Sequence, residues 1–359
     1  MRRPITAGSP LVLKVGSSSL TGPNGGIETA AIERTAALVN SALSLGHRTV
    51  LVTSGAVAAG LPALGLSRRP TEIVDLQVAA AVGQGRLMER YSVSFEKLGL
   101  VAGQVLLTKE VLANREQYLN ARAAINRMLG AGIVPVVNEN DTVVVEELRW
   151  GDNDRLAAIV SHLVGAGLLL LLSDTDGLFS ADPRLGEAEL LPAVRHTDQV
   201  LDRLSGTGPL GSGGVAGKVA AARMAAWSGV PTVIASATAA DVVNRVLAGE
   251  EVGTWVAPRE ERLPARKLWI AFGQPSAGVV IIDDGAVAAL VGAARSLLSV
   301  GVVEVLGRFL AGAGVEVHDR SGGLVAKGIV QMDASTLTAT MGQRSEVEAI
   351  HRDDLVILR

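Results

Sequence analysis

Two lysines, two asparagines and a few carboxylates are the residues of this 359-residue sequence whose types and spacing could do chemistry. GDND (Gly151–Asp154) opens an apolar helical pattern, LAAIVSHL, and NENDT (Asn138–Thr142) closes a strand-like run just upstream. One Asp or Asn is enough to cap a helix, because its side-chain oxygen accepts the first free N–H groups. A triplet exceeds that need, so the two clusters are candidates for the walls of a site. Lys14 lies inside LVLKV; a lysine in a buried strand either carries its ammonium to water or meets a partner at the strand end. Lys218 is delivered by the glycine-rich stretch GPLGSGGVAGK, at the start of a helix expected from about residue 216. Two lysines aimed at one place repel each other unless an acid holds them, and Asp154 is the candidate. Such a set suits phosphoryl transfer to an anionic acceptor, which needs positive charge and positioning more than covalent help.

The elements that must position these residues read as an α/β sheet. LVLKV (Leu11–Val15), TVLVT (Thr49–Thr53), IVPVVN (Ile133–Asn138), LLLLLS (Leu168–Ser173) and PTVIA (Pro231–Ala235) are apolar on both faces, as strands buried between helical layers are. Alanine-rich amphipathic stretches separate them; IETAAIERTAALVNSALSLG is one, with Gly46 as its expected stop. Strands alternating with helices predict a mainly parallel sheet in a three-layer αβα sandwich, with ligands beyond the carboxyl ends of the strands. Those ends carry GSSSL, SGAVAAG, ENDT and SDTDGLF. Gly- and Ser-rich turns expose backbone N–H groups that suit phosphate oxygens, although α/β turns are rich in these residues for structural reasons too.

Composition narrows the classes. The net charge of −3 offers no general attraction for nucleic acid or acidic membranes, and the absence of cysteine excludes disulfides, thiolate zinc sites and a cysteine nucleophile. The five histidines are scattered without metal-ligand spacing, and no side chain is assigned as a metal ligand. MRRPITAGSP leads straight into the first strand, and no apolar run approaches the ~20 residues that span a bilayer. A soluble cytoplasmic protein without a membrane partner is expected. Two familiar motifs fail at the glycine-rich stretch. A P-loop would need Gly at Ser212 and Ser or Thr at Val219, and no strand precedes Gly211 for a dinucleotide fingerprint.

LVLKVGSSSLTG, LVTSGAVAAG, VVNEND with GDND, LLSDTDGLFSADPR and GSGGVAGK occur together in an order that resembles the amino acid kinase family and, within it, the glutamate 5-kinases. The resemblance covers essentially the whole chain and implies ATP with Mg²⁺ and L-glutamate as the acceptor. It implies that Lys14 contacts ATP phosphates, that Lys218 stabilises the migrating phosphoryl group, and that Asp154 organises both. By the same resemblance Ser54, Asp141 and Asn153 bind glutamate with help from Asn138. Ser173 and Asp174 lie on the nucleotide side, as does the loop Ser212, Gly213, Gly214, Val215, Ala216, Gly217 and Lys218. Asp152 is left as a helix cap. The chemistry agrees, because a side-chain carboxylate with an ordinary pKa of roughly 4.3 is already an anion and needs no general base. An amino-acid acceptor also brings an ammonium, for which Asp141 is a sensible partner, with Asn138 and Asn153 as neutral hydrogen-bonding groups.

The resemblance further implies a place in L-proline biosynthesis, feedback inhibition by L-proline, a homo-oligomer (dimer or tetramer), and hand-off of a labile acyl phosphate to glutamate-5-semialdehyde dehydrogenase. Sibling kinases acting on acetylglutamate, aspartate or UMP, and a non-catalytic amino-acid sensor, are the alternatives. Domain bounds of 1–258 for the kinase part, 259–274 for a charged linker and 275–359 for a second domain are expected. GVVIID, GVVEVLG, GVEVHD and GLVAKGIV are punctuated by Gly and Asp and predict a small β-rich barrel that resembles the PUA domain. From Arg266 to Arg359 nine Lys/Arg face ten Asp/Glu, so RNA is not expected as a partner.

Overall fold

The computed structural model describes residues 2–22, 25–112, 114–143, 153–183, 186–204, 214–293, 295–343 and 348–358. The chain forms two compact units, Met1–Arg262 and Leu263–Arg359. In the first, the elements run β1 (Leu11–Val15), α1 (Thr29–Ser44), β2 (Thr49–Thr53), α2 (Ala56–Gly60), α3 (Ile73–Glu96), β3 (Val101–Leu107), α4 (Arg115–Gly130) and β4 (Ile133–Glu139). Then follow α5 (Asn153–Val164), β5 (Leu168–Ser173), β6 (Ala193–Arg195), α6 (Gln199–Leu204), α7 (Gly214–Trp227), β7 (Thr232–Ser236), α8 (Val242–Leu247) and β8 (Thr254–Ala257). They build one sheet of order β3-β4-β2-β1-β5-β7-β8-β6, parallel except where β8 runs against β7.

The pattern of burial explains the layers. Leu11, Leu13 and Val15 of β1 join Ile32, Ala36 and Val39 of α1, Leu87 and Tyr91 of α3, and Val242 and Val246 of α8 in one core. Side chains alternate along a strand, so Val12 and Lys14 face the other layer, where α5 packs on β1 and α7 packs on α5. α7 is small or apolar nearly all round, with Val219, Ala221, Ala222, Met224, Ala225 and Ala226 buried, as a helix wedged between sheet and helix must be. β1 lies between β2 and β5, with Lys14 paired in register with Val52 and Leu171. The chain fills one side of β1 with β2, β3 and β4 and crosses through α5 to start the other side with β5. The carboxyl end of β1 is therefore the switch point where such sheets open a crevice.

All five expected strands form, and α1 ends at Ser44, two residues before the expected stop at Gly46. Three further strands carry weaker patterns. β3 is a half-exposed edge strand reading VAGQVLL, β6 has three residues, and β8 ends the reversal from β7. No helix among the described residues is long and apolar enough to cross a membrane.

The second unit begins with α9 (Ala265–Leu268) and a helical turn, Trp269–Gly273, inside the stretch expected as linker; Leu268 and Ile270 there are buried. It continues with β9 (Gly278–Ile282), α10 (Asp284–Ala293), β10 (Leu297–Leu298), β11 (Val302–Gly307), β12 (Gly314–His318) and β13 (Leu324–Ile329). α11 (Ala334–Thr340), β14 (Glu348–Ile350) and β15 (Leu355–Ile357) complete it. The four expected strands are β9, β11, β12 and β13. Among the described residues they form, with β15, a five-stranded sheet, β11-β9-β12-β13-β15, beside a β10–β14 pair. It is β-rich as expected, but its hydrogen-bonded order has two ends and is not a closed ring. Val280, Ile282, Val315, Val317 and Val325 fill a separate core.

One helix–helix contact sets the geometry near the site. α2 and α3 touch backbone to backbone: a Cβ on Gly83 would sit 1.8 Å from Ala56 O, and one on Gly60 would sit 2.0 Å from Ala79 O. Because the clash is with backbone, no rotamer change relieves it. Gly83→Ala is expected to lower stability by about 1–3 kcal/mol through overpacking. Thermal or urea unfolding of the purified variant measures this, and an unchanged midpoint would show that the two helices can separate freely.

Candidate active site

The site is assembled from the carboxyl ends of β1, β2, β4 and β5 and the first turns of α5 and α7. Lys14 projects from β1 into the α5 layer and is 4% exposed. An ammonium at that depth requires a partner, and Asp154 in the first turn of α5 supplies one, with Nζ to Oδ1 at 2.6 Å. The other carboxylate oxygen, Oδ2, stands 3.8 Å from Lys218 Nζ in the first turns of α7, and that ammonium also donates to Gly214 O at 3.1 Å. One carboxylate thus holds two ammonium groups from different helix and strand ends, as the charges alone suggest. Of the two alternatives for a lysine in a buried strand, Lys14 takes the partner and not the water.

Asn153, one residue earlier, faces a different neighbourhood. Its Nδ2 donates to Thr53 O at 3.0 Å, Ser54 Oγ at 2.9 Å and Asn138 Oδ1 at 3.0 Å. It therefore ties the ends of β2 and β4 to the start of α5. Asn138 Oδ1 also accepts from Glu139 N at 2.9 Å, and Asn138 Nδ2 donates to Gln84 Oε1 at 2.8 Å. The Thr53 hydroxyl meets the fully buried Tyr91 hydroxyl at 2.8 Å, and burial pushes that phenol well above its usual range. After Ser54 the chain turns sharply through Gly55 at φ 106°, a left-handed conformation that favours glycine, and enters α2.

Two cavities flank this framework. The smaller, about 50 Å³, is a slot lined by Ser17, Ser54, Gly55, Ala56, Val57, Ala58, Arg69, Asn138, Asp141 and Asn153. Burial raises the Asp141 carboxyl to about 6, against the opposing charge of Arg69. The larger, about 330 Å³, is bounded by Ser173, Asp174, Leu178, Phe179, Pro183, Leu204, Gly214, Val215 and Lys218. Ser173 Oγ donates to Asp174 Oδ1 at 3.0 Å there. Room and apolar lining suit the larger cavity to a nucleotide, and the polar slot suits a small charged acceptor. Asn153 lines the slot while its neighbour Asp154 holds a lysine that lines the larger cavity.

Of the residues singled out from the sequence, Ser54, Asn138, Asp141 and Asn153 meet at the slot, and Ser173, Asp174, Gly214, Val215 and Lys218 meet at the larger cavity. Lys14 and Asp154 lie between. Ala216 and Gly217 are in the first turn of α7. Ser212, Gly213 and Asp152 lie outside the described residues. Among the described residues no group of three or more His, Asp or Glu side chains converges as a metal site. Sequence reasoning missed Gln84, Tyr91, Arg69 and Ser17. Gln84 directly follows Gly83, whose contact with α2 could have been suspected from GQG inside a helical pattern.

Comparison with known proteins identifies the family. Residues 9–236 match the amino acid kinase family, and residues 278–351 match the PUA domain. The chain is 45% identical to the glutamate 5-kinase of Marinomonas sp. (strain MWYL1) over the whole of both chains. It is 44% identical to that of Nocardia farcinica over 99% of this chain and 98% of the relative, and 46% identical to that of Frankia casuarinae over 100% and 99%.

Asp141 gives the slot a pH dependence whose sign is fixed. Its pKa is raised, so it is neutral below about 6 and anionic above. Because the folded state holds that proton more tightly than the unfolded chain, this group's contribution to stability falls as pH rises from about 4 through 6. Carboxyl-resolved NMR should give an Asp141 midpoint near 6, and Arg69→Gln should move it upward by removing the opposing charge. A midpoint near 4 in the wild type would contradict the burial.

Proposed function

This chain belongs to the amino acid kinase family, and we propose that it transfers the γ-phosphoryl group of ATP to the side-chain carboxylate of L-glutamate. The observation that carries the reading is Asp154 gripping Lys14 and Lys218 between a nucleotide-sized cavity and a small polar slot. A sensor would have no use for two ammonium groups aimed at phosphate.

The chemistry follows from the charges. The acceptor's γ-carboxylate is ionised at neutral pH, with an ordinary pKa of roughly 4.3, so no residue has to remove a proton. One of its oxygens attacks the γ-phosphorus, the bond to the bridging oxygen of ADP breaks, and an acyl phosphate leaves. The barrier is repulsion between a carboxylate and a polyphosphate, together with the entropy of bringing them in line. Lys218 sits where it can follow charge on the migrating group, and Lys14 neutralises phosphate oxygens from the floor of the crevice. Asp154 keeps the two ammonium groups together before substrate arrives, so little reorganisation is needed during transfer. At the slot, Asp141 receives the acceptor's ammonium, and Asn138, Asn153 and Ser54 orient its chain. Asp154 is already committed to the lysines, so the donor set fits Mg²⁺ carried by the nucleotide phosphates, where it would share in neutralising their charge.

As the family relationship implies, the reaction is the first step toward L-proline, in the cytoplasm. L-proline as inhibitor, a homo-oligomer and hand-off of the acyl phosphate to a reductase belong to the same proposal.

The test is hydroxylamine trapping of acyl phosphate with MgATP and glutamate, N-acetylglutamate or aspartate. Hydroxamate from glutamate alone is expected; none from any of them would sink the proposal. Lys218→Ala should lower kcat by on the order of 100-fold or more, as loss of a transition-state charge does, with little change in glutamate KM. Asp141→Asn should act chiefly on glutamate KM. Equal effects of both variants on both constants would show that the two cavities do not divide the work this way.

A further inference from the structure

We propose that Arg69 is the specificity-determining residue that recognises the α-carboxylate of the acceptor, an assignment that rests on reading the slot as the acceptor site. An amino acid with an acidic side chain brings three charges. The reacting carboxylate points at the lysines, and the ammonium has acceptors in the slot. Asp141 is one. The other is Asn153 Oδ1, which is buried and finds no hydrogen-bond partner among the described residues. The Asn153 Nδ2 group is already directed at Thr53, Ser54 and Asn138, so only its oxygen side is left for a ligand donor.

The third charge, the α-carboxylate, has no counterpart in the roles assigned so far. Lys14 and Lys218 are held by Asp154 at the transferring end and cannot serve both carboxylates. Among the described residues that line the slot, Arg69 is the cation, and its charge acts on Asp141. A guanidinium presents paired N–H donors that match a carboxylate bidentately, which a lysine does not. Arg69 lies in the connection between Leu64 and α3, and the helices before and after it, α2 and α3, are in backbone contact at Gly60 and Gly83. Its side chain is exposed and so can be reached by solvent-borne ligand. Arg69 and Asp141 line the same slot, and the Arg69 charge acts on the Asp141 carboxyl. A zwitterionic head group entering between them gives its ammonium to Asp141 and its carboxylate to Arg69, so neither charge is stranded.

The experiment compares L-glutamate with L-isoglutamine, which keeps the ammonium and the reacting carboxylate but carries a neutral carboxamide at the α position. The wild type should prefer glutamate in kcat/KM by about 100-fold, the order expected for loss of a charge-assisted bidentate pair. In Arg69→Gln that preference should collapse to within about fivefold, through a rise in glutamate KM, while Arg69→Lys keeps part of it. If isoglutamine turnover is too slow to detect, the detection limit sets a lower bound on the wild-type ratio, which Arg69→Gln must still fall below. An unchanged ratio in Arg69→Gln, with both substrates impaired alike, would mean that Arg69 only holds its loop, and the assignment would be wrong. A wild type indifferent between the two substrates overturns it as well. A wild type inactive on glutamate sinks the acceptor reading itself, and this one with it.

Discussion

The buried pair between Lys14 and Asp154 is the constraint on which the rest of the first unit depends. Removing either partner from such a pair leaves an uncompensated charge in the interior, at a cost of about 3–5 kcal/mol, a large share of the roughly 5–15 kcal/mol that holds a domain folded. The pair is therefore as much a structural clamp as a functional group. It fixes the first turn of α5 against the centre of the sheet, and with it the position of Asn153. α7 is packed on α5, so the same clamp determines how far Lys218 stands from Asp154.

A charged clamp of this kind is not a source of net stability. Apolar residues of similar volume would fill the same space at less cost. What the ionic version provides is a preset arrangement of positive charge facing a crevice, fixed by the fold itself. The hydrogen-bonded chain from Gln84 through Asn138 to Asn153 and Ser54 does the equivalent for the neutral side of the site. Each amide in it has its orientation set by the next, so the slot presents a defined array of donors and acceptors and not a set of freely rotating side chains.

Much of this was legible in the sequence. The five buried strands are continuous apolar runs with no competing helical pattern, so their ends, and the residues on them, could be placed closely. Lys14 and Asp154 stood out because a charge in or beside an apolar element demands an explanation. Edge strands escaped for the converse reason: β3 contains Gly and Gln and is half exposed, and β6 is too short for any period to show. Gln84 and Tyr91 escaped because each sits in a helical pattern where it reads as an ordinary surface or core residue. Only the approach of α3 to the ends of β2 and β4 gives them meaning. Arg69 belongs to a polar stretch, LSRRPTE, whose course no local rule determines. The two ends of the second unit's five-stranded order were equally invisible, since alternation predicts strands but not whether a sheet closes.

Asn153 and Asp154 are consecutive on one helix, and successive helical residues point about 100° apart. One turn of backbone therefore serves as a shared mount, with one side chain turned to the polar slot and the next to the two lysines. Such a mount cannot be adjusted on one side alone. Any tilt or rotation of α5 swings both side chains together, so a change that re-angles this helix reshapes the slot and shifts the lysine pair in a single stroke. The two cavities are thus set by one lever, and selection on either is felt by both.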